Sequence, residues 1–343
     1  MPREKTHWSL TKIAAELGVS PCAVSLVLNG RAKEQRIMSE TIERIHRFCA
    51  DIGYQPNIHT RRMQSRIVNN ILFYFATLAD IKQRGADSNL FNVMRGILHA
   101  AEAAHVTVSV RSGDVESAAE DIFRSFRSRE IDGMIHYGVE VPSEWMDVFR
   151  QEQRNVVGIS VKGSSEVAAV NINNREISRR MVIEYLLKRG RRNFLYFGGK
   201  SDSFPGNERY AGFREALAEY GVAFSEDRFI RCDFDDALAF AAMERILASG
   251  EPLPDALVCA NDQMAVGAIQ SLVRHGIKVP DRIEFCGGDG IEIARHTTPK
   301  IASFDYRAIS MGITAFDMLW RKVNGESVGD TIIQTDLLEG DSV

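Results

Sequence analysis

Cysteine is scarce in this chain, and its spacing is unhelpful to chemistry. Cys22, Cys49, Cys232, Cys259 and Cys286 are odd in number and far apart. Without a CxxC pair they point away from a zinc site or a redox dithiol and toward buried free thiols. No apolar run approaches the roughly 20 residues of a membrane helix. The opening "MPREKTHWSL" has no signal-peptide core, so a cytoplasmic location is expected. HExxH, GxSxG and paired Cys/His spacings are absent, and the eight histidines are scattered, which suits surface or structural roles. "FGGKSDS", after the strand-like run at Phe197, has neither the GxxxxGK[ST] nor the GxGxxG spacing of a phosphate-binding loop. Nothing assembles into a catalytic constellation, so neither enzyme activity, a metal nor a cofactor is expected.

What the chain does have is length and an uneven charge. Its 343 residues exceed one typical domain. Residues 1–66 hold 11 Lys and Arg against 6 Asp and Glu, so with −4 overall the remainder carries −9. A basic head on an acidic body suggests a polyanion-binding module at one end.

The head reads as short helices. Ile13, Ala14 and Leu17 fall at helical spacing, Gly18 can end that helix in a left-handed conformation, and Ser20 with Pro21 starts the next. The second helix buries Val24, Val27 and Leu28, leaving Pro21, Cys22, Ser25 and Leu26 on or near its outer face. A third runs from Ser39, with Glu40 and Glu43 near its positive end and Ile42, Ile45, Phe48, Cys49 and Ile52 along one stripe. By pattern alone this fits an ordinary three-helix bundle or a helix-turn-helix.

The stretches "LTKIAAELGVSPCAVSLVLNG" and "SETIERIHRFCADIGYQPN" resemble the lac repressor and purine repressor family of transcription regulators, continuously over residues 9–57. The resemblance implies that Pro21, Cys22 and Leu26 read base edges. Leu26 departs from the hydrogen-bonding residues common there and offers only apolar contact, for example to a thymine methyl. Thr11, Lys12 and Ser25, with Arg31, Lys33 and Arg36 in a loop about four residues longer than usual, are placed against phosphates. "PNIHTRRMQSR", residues 56–66, reads alone as a solvated linker. The resemblance makes it a hinge helix on DNA, with Thr60 facing the duplex and Met63 where the family usually has a leucine wedge.

From Asn70 onward strand-like runs alternate with amphipathic helices in two successive series. That pattern implies two doubly wound parallel-sheet subdomains, an α/β body of the periplasmic-binding-protein-like kind behind an all-α head. Ligands bind such sheets at the carboxyl ends of strands. "R..GF..AL", "ND.MA.G" and "G.D" resemble the family's effector pocket. By that likeness Arg209, Asn261 and Asp289 bond polar ligand edges and Phe234 stacks on a flat face. Asp262 reads as the cap of the following helix. Tyr74, Phe75 and Ser160 are candidates from the first subdomain, with core packing as the alternative. Gly290 replaces a polar residue often found after that Asp.

The implied domains are 1–57 for the helix-turn-helix, 58–68 for the hinge, 69–172 with 304–327 for the first subdomain, and 173–303 with 328–343 for the second. No leucine heptad follows the last strand, so a homodimer is expected. The function implied is an effector-controlled, sequence-specific repressor of DNA, with a sugar or related metabolite as effector and either inducing or corepressing logic. Two rivals share the body's architecture: an exported solute-binding protein, which residues 1–66 argue against, and a doubly wound enzyme such as a sugar kinase or dehydrogenase.

Overall fold

Two polar stops frame the first helix. Ser9 caps α1 (Leu10–Leu17) by accepting from the Lys12 N–H at 3.3 Å, and Gly18 ends it at φ +62°. Ser20 then accepts from Ala23 N at 3.1 Å and starts α2 (Pro21–Leu28), whose axis turns 109° from α1. With α3 (Ser39–Asp51) they enclose Ile13, Ala14, Val24, Val27, Ile45 and Cys49, sealed by Trp8 set edge-on to Phe48. Arg44 ties α3 to α1 through the Leu17 carbonyl at 3.0 Å.

This computed structural model describes residues 8–28, 32, 37–54, 67–75, 88–138 and 140–343. The chain divides into two units, 1–68 and 69–343. No single helix among the described residues is long and apolar enough to cross a membrane.

The larger unit has two lobes. In the first, β1 (Asn70–Phe75), β2 (Thr107–Ser112), β3 (Gly133–Tyr137), β4 (Val156–Ile159), β5 (Ala168–Ile172) and, late in the chain, β11 (Thr331–Ile333) form a parallel sheet in the order β11-β5-β4-β3-β1-β2. One face is covered by α4 (Ser88–Ala103) and α12 (Ala308–Val323), the other by α5 (Val115–Arg127) and α6 (Ser143–Gln151). A strand buried on both faces reads as an unbroken apolar run, which is why "NILFYF" is apolar after its first residue.

In the second lobe β6 (Phe194–Gly198), β7 (Phe229–Arg231), β8 (Ala256–Cys259) and β9 (Glu284–Cys286) are parallel in the order β7-β6-β8-β9. Its helices are α7 (Asn174–Val182), α8 (Phe204–Glu219), α9 (Asp236–Ser249), α10 (Asp262–Arg274) and the short α11 (Glu292–His296). α7 and α8 approach so closely that a Cβ on Gly212 would stand 2.0 Å from the Arg175 carbonyl oxygen. Beyond β9, residue Ser342 is buried and exchanges hydrogen bonds with Phe285 and Ala302.

The lobes are joined three times: at residue 173 between β5 and α7, at 305–307 between β10 (Ser303–Phe304) and α12, and at 334–336 between β11 and β12 (Leu337–Leu338). β10 and β12 pair antiparallel, and Asp305 N donates to Asp336 O at 3.0 Å, so the second and third crossings are laced together.

Three expectations need correction. The strand β5 and helix α7 have no counterpart in the predicted series: Asn171, buried and donating to the Val161 carbonyl at 2.8 Å, interrupts the apolar signal. The stretch "TIIQTDLL" was expected to complete the second lobe. Its first half pairs with β5 of the first lobe (Thr331 beside Val170), and only Leu337–Leu338 reach the second. Residues 303–304 pair on the second-lobe side, so the late contribution to the first lobe begins after the crossing at 305–307, not at 304.

Candidate functional site

In the helical unit, Thr11, Lys12, Pro21 and Cys22 are exposed, while Ser25 and Leu26 are half-buried. Leu26 stands outside the cluster formed by Ile13, Val24 and Val27, so its side chain does not serve that core. α2, "PCAVSLVL", carries no charge. Its outer face can therefore offer a hydroxyl, a thiol and apolar surface to a groove, and its amino end can offer N–H groups to an anion. Cys22 is also the exception among the thiols: the other four are buried, and burial raises the pKa of each of them. Arg31, Lys33, Arg36, Thr60 and Met63 lie outside the described residues.

In the larger unit the second-lobe candidates converge on Arg209. Ser203 caps α8 through Gly206 N at 3.1 Å and sets the helix that carries it. Arg209 is 4% exposed. Its Nε donates to Asn174 Oδ1 at 2.9 Å, one terminal nitrogen to the Ala260 carbonyl at 2.6 Å, and the other to Asp289 Oδ1 at 2.7 Å. The guanidinium lies 4.8 Å from the Phe304 ring centroid and 5.5 Å from that of Tyr306. Burial works against its charge, but the Asp289 carboxylate and Tyr306 more than offset this, and its pKa is raised. Three of its five N–H groups are thus committed to the protein. Removing either partner would strand a charge at a cost of about 3–5 kcal/mol.

Asp289 is held at φ +103°, a conformation that favours glycine, between Gly288 and Gly290. Asp233 and Phe234 are likewise left-handed at φ +52° and +64°. The Phe234 ring lies over Gly199 and Gly206, where an added Cβ would meet it at 2.1 and 3.0 Å. Strain at successive non-glycine residues concentrates at functional sites.

Asn261 takes the cap that Asp262 was expected to supply. Asn261 is the cap of α10, accepting from Met264 N at 2.9 Å. Asp262 is fully buried inside the first turn, where its carboxylate accepts from Ser303 Oγ at 2.6 Å and Ile291 N at 2.9 Å. Burial first, then the nearby Asp289, push its pKa up to about 8, against the pull of Ser303, Ile291 and Arg209.

The first lobe contributes Ser160, at the carboxyl end of β4 with φ +59°, which shares a hydrogen bond with the Tyr306 hydroxyl. Tyr74 lies elsewhere. Alternation along β1 sends Tyr74 with Leu72 into the core beside Trp145, and its hydroxyl donates to the Gly113 carbonyl at 2.9 Å. Burial, with Asp114 nearby, pushes that phenol up to about 12. Phe75 faces the opposite core with Phe73.

Sequence reasoning missed Asn174, Ser303, Phe304 and Tyr306. The last two carried a signal: in "SFDYR", positions 304 and 306 share one side of an extended chain. Chemically the cluster around Arg209 holds a desolvated ion pair, an amide and aromatic faces. Among the described residues, no group of three His, Cys, Asp or Glu side chains could hold a metal.

A profile described as a periplasmic binding protein-like domain matches residues 183–343. The HTH-type transcriptional repressor PurR of Erwinia tasmaniensis is 24% identical over 93% of this chain and 91% of its own length. The HTH-type transcriptional regulator AscG of Escherichia coli is 28% identical over 86% of each chain. Among solved structures, the lac repressor dimer bound to operator and the anti-inducer ONPF aligns with a TM-score of 0.84 at 20% identity, covering 98% of both chains.

Proposed function

We propose, on the premise that this chain belongs to the lac repressor and purine repressor family of transcription regulators, that it is a sequence-specific DNA-binding repressor whose operator affinity is set by a small polar effector, such as a sugar. It regulates and does not catalyse. One observation carries the reading: a single chain joins a helical unit whose second helix keeps Pro21, Cys22 and Leu26 off its core to a two-lobed body with a buried Arg209–Asp289 pair at the junction.

In this reading residues 1–57 form the reader. α2 enters a major groove about 12 Å wide, Thr11, Lys12 and Ser25 hold phosphates, and Pro21, Cys22 and Leu26 meet base edges. Two copies in a homodimer read half-sites about one helical turn, roughly 34 Å, apart. The PurR relative is named a repressor and the lac repressor neighbour is a dimer bound to its operator, which supports the assignment. In this reading the protein works in the cytoplasm. Arg209, Asn261 and Asp289 are the polar effector contacts, Phe234 the stacking face and Ser160 the first lobe's contribution. Tyr74, whose hydroxyl is spent on Gly113, is left to the core.

The test is selection of duplexes from a random pool by the whole chain and by a chain lacking residues 1–68, at two salt concentrations. The whole chain should recover a near-palindrome and the shortened one should not. Retention by neither above a salt-sensitive background would overturn the reading.

A further inference from the structure

Tyr306 touches both lobes at once. Its backbone N–H donates to the Asp289 carbonyl at 3.2 Å, and its ring lies 5.5 Å from the Arg209 guanidinium, both in the second lobe. Its hydroxyl reaches Ser160 Oγ in the first lobe. Both side chains are buried, at 4% and 5% exposure, so the bond forms out of water, where losing one partner leaves the other unsatisfied. Ser160 is itself fixed: its N–H donates to Val170 O of β5 at 3.1 Å, and its backbone is left-handed. The residue sits in the crossing at 305–307, where any change of lobe angle must be absorbed.

We propose that Tyr306 is a positioning residue, an interlobe clasp that sets the resting angle between the lobes and carries displacement of the Arg209–Asp289 pair to the first lobe. This rests on the reading of that pair as part of the effector site. A ligand that accepts a hydrogen bond from Arg209 or donates one to Asp289 shifts the guanidinium over the Tyr306 ring and the carbonyl that holds the Tyr306 N–H. The hydroxyl, at the far end of the same rigid ring, must then move against Ser160. A side chain bonded to one lobe alone could not transmit this.

The experiment uses spin labels on the whole chain at Glu144→Cys in the first lobe and Glu251→Cys in the second, both exposed, with Cys22→Ser to remove the exposed thiol. Distances are recorded for Tyr306 and Ser160 intact, Tyr306→Phe, Ser160→Ala and the double variant. Each single variant should shift the distribution to longer distances and lower the melting temperature, since each removes the bond that joins the lobes. The double variant should shift the distances no further than either single one, because both hydroxyls serve one bond. Additive shifts would mean that the two hydroxyls act separately and would overturn the clasp. Unchanged distances in all three variants would overturn the clasp. Operator binding to the selected duplex is measured in parallel on unlabelled chains that keep Cys22, with a change of roughly two- to tenfold expected from loss of one hydrogen bond. If distances shift and operator affinity does not, the clasp stands and the regulatory reading of the cleft fails.

Discussion

A carboxyl such as Asp262 shows how much of a site hides in one residue. The motif "ND" marks the start of a helix in the sequence, but which of the two residues caps it depends on where the first turn closes. Asn261 takes the cap and Asp262 is drawn inward to Ser303 and Ile291. Its pKa of about 8 lies above the unfolded value near 3.8, so the folded state holds a proton that the unfolded state releases. The stability it contributes is fully present below about pH 4 and is lost as pH rises through about 8. Asp262→Asn, which mimics the protonated form, should flatten that decline. Urea midpoints from pH 5 to pH 8 for both proteins would check this, and equal slopes would refute it. Arg209 and Asp289, which the fold pairs at 2.7 Å, were legible as motif positions because their spacing travels with the motif. Asn174, Ser303 and Tyr306 were not, because their partners are dozens of residues distant in sequence and are supplied by topology. Tyr74 stayed open between site and core for a different reason: a strand buried on both faces gives no hint of which face meets the other lobe.

Elements carry the same lesson through packing. The alternating strands and helices were readable because buried parallel strands and amphipathic helices differ in period. β5 and α7 escaped because a buried asparagine, Asn171, breaks the apolar run. The α7–α8 pair is held at a backbone distance that only glycine permits. Ser178 on α7 donates to the Arg209 carbonyl on α8 at 2.8 Å, so the spacing of these helices also places the guanidinium. Gly212→Ala would meet the Arg175 carbonyl oxygen, not a flexible side-chain end. The expected loss is about 1–3 kcal/mol or more, read from denaturant unfolding, together with a weakened ligand response. A variant of wild-type stability would show that the helices separate without strain.

For the whole molecule, binding linkage demands symmetry. An effector that weakens operator binding by some factor must bind the operator complex less tightly by the same factor. Titrating effector into free and operator-bound protein should return equal ratios, and unequal ratios would mean that the two ligands do not share one linked equilibrium. The order of head and body was legible from charge and motif, but the path of the chain between lobes was not: "TIIQTDLL" reads as one strand, and only the break at 334–336 shows it to be two. Bodies held by one strand can twist, slide and swing. These lobes are held by three, two of them laced antiparallel, which should leave a swing, as of a door on its hinges, as their main freedom. Effectors of different size then differ in how far the door stands open, not in which way it moves. Graded ligands should therefore give graded operator occupancy along a single curve.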